Sequence, residues 1–415
     1  MVLTQEAQQK LTKIPNNGHQ TMKQQQPTLI SFLGKSTLTK EGYRKANYQI
    51  DDKSYETSYF GFALTEHIKP KKILLLGTAG SMWDVLIEAH AEDDDAENRR
   101  LKLLDLAEKQ QVDEKILLEL TPIIEKHLNC EVEMKIIPYA RTTEEQIGIL
   151  SSIAYSIPEN ESIIMDVTHG FRHLPMLGML AAHYLERIKN AQVEGIYYGA
   201  LEMTENNKTP VLNLKGLLQT MNWIQAITAY DASGNYGHFV EPLKQAGWTE
   251  NECNNLHQAV FFERTTNIVK AKEKLSTINQ ALDKRENSFL KLFGDELKKR
   301  LSWWKKDDRA AWESTLSKAY FDRRDYLRSS IFLQEACISN ALHKNEQGSY
   351  NDREEVRKEM QSKDQIFKRL AHLRNSMAHG VKGQYKSKAE KPLKTEQDLR
   401  STLGDMIKNW KQLGK

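Results

Sequence analysis

Six short, almost uninterrupted apolar runs recur between residues 28 and 214. They are TLISFL (28–33), KILLLG (72–77), EVEMKIIP (131–138), SIIMDVT (162–168), VEGIYYG (193–199) and VLNL (211–214). A strand wetted on one face alternates apolar and polar residues, whereas a strand covered on both faces need not. The stretches between the runs, among them EKILLELTPIIEKHL, TEEQIGILSSIAYSI and LPMLGMLAAHYLERIKN, carry helical spacing. Alternating strand and helix with doubly covered strands specifies an α/β fold with a doubly wound, mostly parallel sheet. Residues 43–60 read as a small inserted hairpin, and the acidic run EDDDAE (92–97) as a solvated loop.

From about Lys215 the strand runs stop and 3.6-residue periodicity takes over. Residues 255–304 read as one or two long helices, followed by helices over 323–344, 352–379 and 395–413. The expected organisation is a Gln-rich flexible leader (1–27), an α/β domain (28–214), a helical linker region (215–300) and an all-α domain (301–415), with the switch between Leu214 and Thr228. The net charge of +3 conceals an asymmetry: residues 263–415 hold 34 Lys+Arg against 22 Asp+Glu, and the remainder 25 against 34. A basic C-terminal part suits a polyanionic partner, although Lys-rich solvated helices would look the same. The three cysteines, Cys130, Cys253 and Cys337, lack CxxC spacing and give neither a disulfide framework nor a zinc site. No apolar stretch approaches the roughly 18 residues of a membrane span. A cytoplasmic location without membrane partners is expected.

In open α/β sheets, ligands sit beyond the carboxyl ends of the strands. Three strand ends here carry suitable residues: Gly34, Lys35, Ser36 and Thr37; then Gly77, Thr78, Ala79, Gly80, Ser81 and Trp83; then Asp166, Thr168, His169, Gly170, Phe171 and Arg172. Glycines permit close backbone approach, hydroxyls and N–H groups receive an anion, and Trp83 offers a ring for a base. Neither GxxxxGK[ST] nor GxGxxG is present. A hydrolase built on Asp166, Thr168 and His169 would lack a nucleophile elbow. Zinc held by His169 and His173 would lack a third ligand.

The string DVTHGFRHLP resembles the DxTHG signature of CRISPR-associated proteins of type III systems. There the motif belongs to a Rossmann-like sensor domain, the CARF domain, that binds cyclic oligoadenylates. FLGKST and GTAGSMWD are similar to that family's other two ligand loops. The resemblance implies a dimer with a cyclic oligoadenylate, the tetra-adenylate on family grounds, as activator rather than cofactor, and no metal. The sixteen strand-end residues above would be its ligand-binding set.

In RNSMAHG (374–380), Arg374 and His379 lie about 140° apart round a helix, a poor pair within one protomer. One reading is a helix end: Gly380 as the C′ residue and a cation in the last turn. The other rests on resemblance, since Arg-x4-His with Asn beside Arg is similar to the motif of HEPN ribonucleases, doubled across a dimer interface. It implies Arg374, Asn375 and His379 as catalytic residues of a metal-independent endoribonuclease acting through the 2′-hydroxyl. Histidine suits proton transfer, and arginine's fork suits phosphate oxygens. His372 reads as structural, nearer the core-facing stripe.

The order, α/β then helical with these two strings, is similar to the CARF–HEPN ribonucleases of type III CRISPR antiviral defence. The implied partners are single-stranded RNA, a cyclic oligoadenylate second messenger, and a second copy of the chain as a homodimer or higher oligomer. Arg323, Arg324, Arg328 and Asn340, and Lys382, Lys386, Lys388 and Lys391 with Tyr385, are candidate substrate contacts. The alternative is a nucleotide-sensing regulator whose helical part binds RNA or protein without cleaving it.

Overall fold

The computed structural model describes residues 26–36, 38–39, 42–88, 94–344, 352–380 and 390–413. Residues 1–25 of the expected leader, Thr37, Lys382, Tyr385, Lys386 and Lys388 lie outside the described residues. The chain divides into two compact units, Met1–Leu218 and Gln219–Lys415, a boundary inside the 214–228 switch.

Among its described residues the first unit contains ten strands: β1 (Thr28–Leu33), β2 (Leu38–Thr39), β3 (Gly42–Tyr43), β4 (Ala46–Ile50), β5 (Lys53–Thr57), β6 (Lys72–Gly77), β7 (Glu131–Ile136), β8 (Ser162–Asp166), β9 (Gln192–Gly199) and β10 (Thr209–Asn213). Eight of them form one sheet in the order β5-β4-β10-β9-β8-β1-β6-β7. The block β9-β8-β1-β6-β7 is parallel, as the continuous apolar runs require. The expected hairpin is β4–β5, which extends the sheet beyond β10, itself antiparallel to β9. β2 and β3 form a separate ribbon.

Alternate residues of the central strands feed two cores, one on each face. Leu29, Leu33, Ile73 and Leu75 join the aromatic cluster of Tyr48, Tyr59, Phe60 and Trp83. Ile30, Phe32, Leu74, Leu76, Ile163 and Met165 join Ile149, Ile153, Ala181 and Leu185 of the helices Thr143–Ser156 and Leu174–Ile188. The acidic run corrects one expectation: Asp94–Glu108 is helical, not a loop. Asp95 pairs with Arg99 and Glu97 with Arg100, one turn apart, while Leu103 and Ala107 further along the helix are buried.

The second unit is helical throughout its described residues. The expected long helices are broken where Asn or Asp can cap. Residues 250–300 form Glu250–Arg264, Ile268–Lys284 and Ser288–Arg300, with Asn267 accepting from the Lys270 N–H and Asn287 from the Phe289 N–H. Residues 353–379 split at Asp364, whose carboxylate accepts from the Ile366 and Phe367 N–H groups. Such caps contribute about 1 kcal/mol each. The 215–300 segment is also not a linker, because Trp223, Phe239, Leu256, Leu275 and Leu297 share one core with Leu316, Tyr320 and Phe332.

A carboxyl group lies inside that core. Glu263, 2% exposed, accepts hydrogen bonds from the Tyr236 hydroxyl (2.7 Å) and the Tyr320 hydroxyl (2.6 Å), and the Trp303 indole donates to Tyr236 (2.8 Å). Burial raises the Glu263 pKa against the pull of both tyrosines. Removing the carboxyl strands two buried hydroxyls, each worth about 1–3 kcal/mol. Glu263→Ala is expected to destabilise the chain by roughly 2–4 kcal/mol in urea unfolding, and Glu263→Gln, which keeps an acceptor, by distinctly less.

Candidate functional site

In the sheet, β1 lies between β8 and β6, parallel to both. Leu33 is level with Gly77, and Ser31 with Asp166. Neighbouring strands are about 4.8 Å apart, so the loops leaving these strands emerge side by side. Topology alone therefore brings together the three loops singled out in the sequence.

A ring of buried and part-buried hydrogen bonds, closed through the chain itself, fixes the third loop. The Ser31 hydroxyl donates to Asp166 Oδ2 (2.6 Å) and, having one proton, accepts from the Tyr59 hydroxyl (2.5 Å). Asp166 Oδ1 accepts from the Thr168 N–H (2.8 Å). His169 Nε2 accepts from the N–H of Phe60 (3.1 Å), the first residue of the helix Phe60–Ile68, which follows Tyr59 and has no side-chain cap of its own. An accepting Nε2 places the proton of a neutral ring on Nδ1. Thr168 Oγ1 accepts from the Gly199 N–H at the end of β9 (2.8 Å). Asp, Thr and His of the motif thus clamp β1, β8, β9 and one helix together. Asp166 bonds to Ser31 and Thr168 rather than to His169, so the Asp–His pairing that a hydrolase would use is not formed.

Burial displaces both titrating groups. It pushes the Asp166 carboxyl up to about 6, against the hydrogen bonds from Ser31 and Thr168. It pushes the His169 imidazole down to about 4, which keeps the ring neutral near pH 7 and able to accept from Phe60.

The loops enclose a cavity of about 200 Å³ lined by Gly34, Lys35, Thr78, Gly80, Ser81, Gly170 and Phe171 among the expected residues. A second cavity of about 530 Å³ shares Lys35, Gly80 and Ser81 and adds Ser36 and Tyr43. Lys35, Gly170, Phe171 and Arg172 are exposed, while Ser36, Ala79 and Gly80 are half-buried. The other residues have internal roles. Ser81 Oγ donates to the Leu33 carbonyl (2.7 Å) and accepts from the Thr78 N–H (2.9 Å). Trp83 is fully buried with its indole N–H on the Thr78 carbonyl (2.8 Å), so its ring is core and is not offered to a base. The glycines serve loop packing: a Cβ on Gly34 would meet Gly170 N at 2.3 Å, and one on Gly77 would meet Trp83 at 2.6 Å. Gly170, at φ +114°, also needs its conformational freedom.

Among the lining residues that escaped sequence reading are Tyr139 and Gln110. Tyr139 follows β7, the neighbour of β6, and its hydroxyl donates to Gln110 Oε1 (2.9 Å). Its ring lies 5.8 Å from that of Phe171, which stacks on His173 at 5.8 Å. The Arg141 guanidinium sits 4.9 Å from the Tyr139 ring. The available signal was the strand end at Ile136–Pro138, which shares the edge with the other three.

In the helical unit, Gln365–His379 buries Phe367, Leu370, Ala371 and Leu373 and ends at Gly380, φ +79°. Asn375 and His379, one turn apart, are both exposed. Arg374 is half-buried and directed at the helix Tyr326–Lys344, where its guanidinium donates to Gln334 Oε1 at 3.4 Å. Its buried Nε has no hydrogen-bond partner among the described residues. His372 is exposed, so the expected structural position falls to Leu373. Arg323 and Arg324 occupy the turn before Tyr326 rather than the helix, whereas Arg328 and Asn340 are on it. Lys391 is exposed. No cluster of metal-binding side chains occurs among the described residues, and none of the described helices is long and apolar enough to cross a membrane.

The fold and these strand-end loops define a Rossmann-like unit followed by a helical one. Residues 28–202 match the family model described as the CARF domain of the CRISPR system endoribonuclease Csx1. The chain is 25% identical over 402 residues to the CRISPR-associated protein MJ1674 of Methanocaldococcus jannaschii, across 85% of this chain. It spans 62% of that relative's length. A solved structure of Enterococcus italicus Csm6 bound to cyclic hexa-2′-fluoro-hexa-dAMP aligns over 94% of this chain and 100% of its own, at 13% identity and a TM-score of 0.36.

The displaced pKa values give opposite slopes of stability with pH. Asp166 is raised from 3.8 to about 6, so its contribution is lost as pH rises from about 4 to about 6. His169 is lowered from 6.5 to about 4, so its contribution is lost as pH falls over about 6.5 to 4. Urea midpoints measured against the parent chain should therefore show Asp166→Asn gaining relative stability as pH rises through this window. His169→Gln should gain as pH falls.

Proposed function

We propose that the chain is a cyclic oligoadenylate-activated, metal-independent endoribonuclease that cleaves single-stranded RNA in type III CRISPR defence. The observation that carries this reading is the convergence of three loops on one cavity, held by the Asp166–Thr168–His169 ring. It lies in the segment matching the CARF domain of a CRISPR endoribonuclease. The string belongs to the DxTHG branch in this reading. Lys35, Ser36, Gly80, Phe171 and Arg172 contact the ligand, Lys35 and Arg172 meeting phosphates. Phe171 and Tyr139 offer rings to adenine, and Gln110 offers hydrogen bonds to it. The activator is the tetra-adenylate, bound across two copies.

An exposed apolar stripe supports pairing of the N-terminal units. Met176, Leu180, Tyr184 and Ile188 recur every fourth residue along the helix that follows the DxTHG loop, and the adjoining helix exposes Ile147 and Tyr155. Such a surface favours association with a like surface.

The helical unit acts as a HEPN ribonuclease. Within one copy, Arg374 faces Gln334 while Asn375 and His379 project outward, so a second copy completes the centre. The 2′-oxygen of the RNA attacks the adjacent phosphorus, the P–O5′ bond breaks, and a 2′,3′-cyclic phosphate and a 5′-hydroxyl result. The 2′-hydroxyl proton is removed and the 5′-oxygen is protonated. His379 serves proton transfer, Arg374 the charge on the phosphorane, and Asn375 orientation.

Cleavage of labelled RNA in EDTA, with and without cyclic oligoadenylates of each ring size, tests the reading. The tetra-adenylate should stimulate cleavage most. His379→Ala and Arg374→Ala should each lower the stimulated rate by roughly 10²–10⁴ with activator affinity unchanged. Ligand-dependent RNA association without product would favour the regulator instead, and full activity in His379→Ala would remove the catalytic assignment.

A further inference from the structure

The helical unit contains a basin of about 720 Å³ lined by Arg264, Arg323, Arg324 and Arg328, with Asp325 as its acidic lining residue. Two arginines are partly held. Arg328 pairs with Asp325, and the Arg323 guanidinium lies 5.0 Å from the Tyr230 ring and donates to the Asp231 carbonyl. The other two are more open. Arg324 is 69% exposed, with Glu396 at 3.3 Å, and the exposed Arg264 guanidinium has no hydrogen bond or ion pair among the described residues. Beneath them, Glu263 is committed to Tyr236 and Tyr320 and does not present its carboxyl to the basin.

Four guanidinium groups against two carboxylates, Asp325 on Arg328 and Glu396 on Arg324, make a site for a strong anion. Arginine forks match phosphate oxygens, and several at once suit an anion that carries repeated phosphates. Tyr326, Leu327, Met377 and Leu399 supply an apolar wall beside the cations, as an unpaired base requires. Met377 connects the basin to the RNSMAH helix: it lies three residues after Arg374, about 60° away round the axis, whereas Asn375 and His379 lie about 160° away. The basin is therefore on the Arg374 side of that helix. The turn adds a conformational observation. Arg324 has φ +63°, which glycine or asparagine adopts at lower cost, yet the position carries a long cation.

We infer that this basin binds backbone phosphates of single-stranded RNA, anchoring the strand on the Arg374 side of the RNSMAH helix through phosphates other than the one that is attacked. The inference rests on the reading that the helical unit acts on RNA, but not on which residues cleave it.

The test is binding of a fluorescent 2′-O-methyl single strand to the full chain in EDTA, across a salt series. The strand lacks the attacking hydroxyl, so affinity is read without cleavage. The double variant Arg264→Ala/Arg324→Gly should bind at least tenfold more weakly, with the salt slope reduced by about 1–1.4, as for two lost phosphate contacts. Glycine at 324 relieves the φ strain, and urea unfolding should show a fold at least as stable, so weakened binding cannot be assigned to misfolding. Lys363→Ala, which removes an exposed cation elsewhere on the unit, should leave affinity unchanged. Unchanged affinity and slope in the double variant would overturn the inference, as would an equal loss in Lys363→Ala. Retained cleavage in His379→Ala alongside lost binding in the double variant would instead remove the catalytic assignment and leave this site standing.

Discussion

The buried carboxylate of Asp166 is the constraint on which the N-terminal site depends. Removing a carboxylate from water costs several kcal/mol unless its oxygens are engaged. Here Ser31 and the Thr168 N–H engage them, and Tyr59, Phe60 and His169 close the circuit through the neighbouring helix. No member can shift without leaving another polar group unpaired, which is why two strands, a loop and a helix start share one geometry. The same constraint explains why Asp166, Thr168 and His169 are absent from the cavity lining while their neighbours Gly170 and Phe171 are part of it. Asp166, Thr168 and His169 direct their hydrogen bonds inward, so the cavity is lined instead by Lys35, Gly80, Gly170 and Phe171.

Much of this architecture was legible in the sequence because it follows from periodicity. Strands covered on both faces need not alternate apolar and polar residues, so TLISFL, KILLLG and SIIMDVT announced themselves, and the parallel order of β8, β1 and β6 then fixed where their loops meet. What periodicity does not encode was misread. Trp83 has the composition of a stacking residue, yet it follows a buried glycine and fills the space a Cβ at Gly77 would need. Asn267, Asn287 and Asp364 sit inside unbroken helical spacing, where capping competes with continuation and tertiary packing decides. Tyr139 and Gln110 meet across 29 residues, a pairing no local window contains.

The helical unit solves its polar problem differently. Glu263 is buried among tyrosines and a tryptophan, while the cations of the adjoining sequence, Arg264, Arg323 and Arg328, lie at the surface above it. Tyr320 links the two levels: its hydroxyl holds Glu263, its ring stacks on Phe332, and the Arg323 and Arg328 guanidiniums lie 5.9 and 5.6 Å from it. The cationic surface is thereby seated on an internally satisfied core, which lets several like charges stay close without a rigid salt-bridge partner for each.

The rigidity of the Asp166 ring also limits how the first unit can respond to a ligand. A bound molecule shifts a protein between states only through its different affinity for them. Residues locked in a closed hydrogen-bond circuit resist rearrangement, because each displacement strands a buried donor or acceptor at about 1–3 kcal/mol. The rim lacks that restraint: Lys35, Phe171 and Arg172 are exposed, and Tyr139 is held to Gln110 by one hydrogen bond between side chains. Any ligand-dependent change should therefore begin in the rim and leave the ring intact. On this view the ring fixes where the ligand loops stand, and the open side chains determine what a bound molecule can alter.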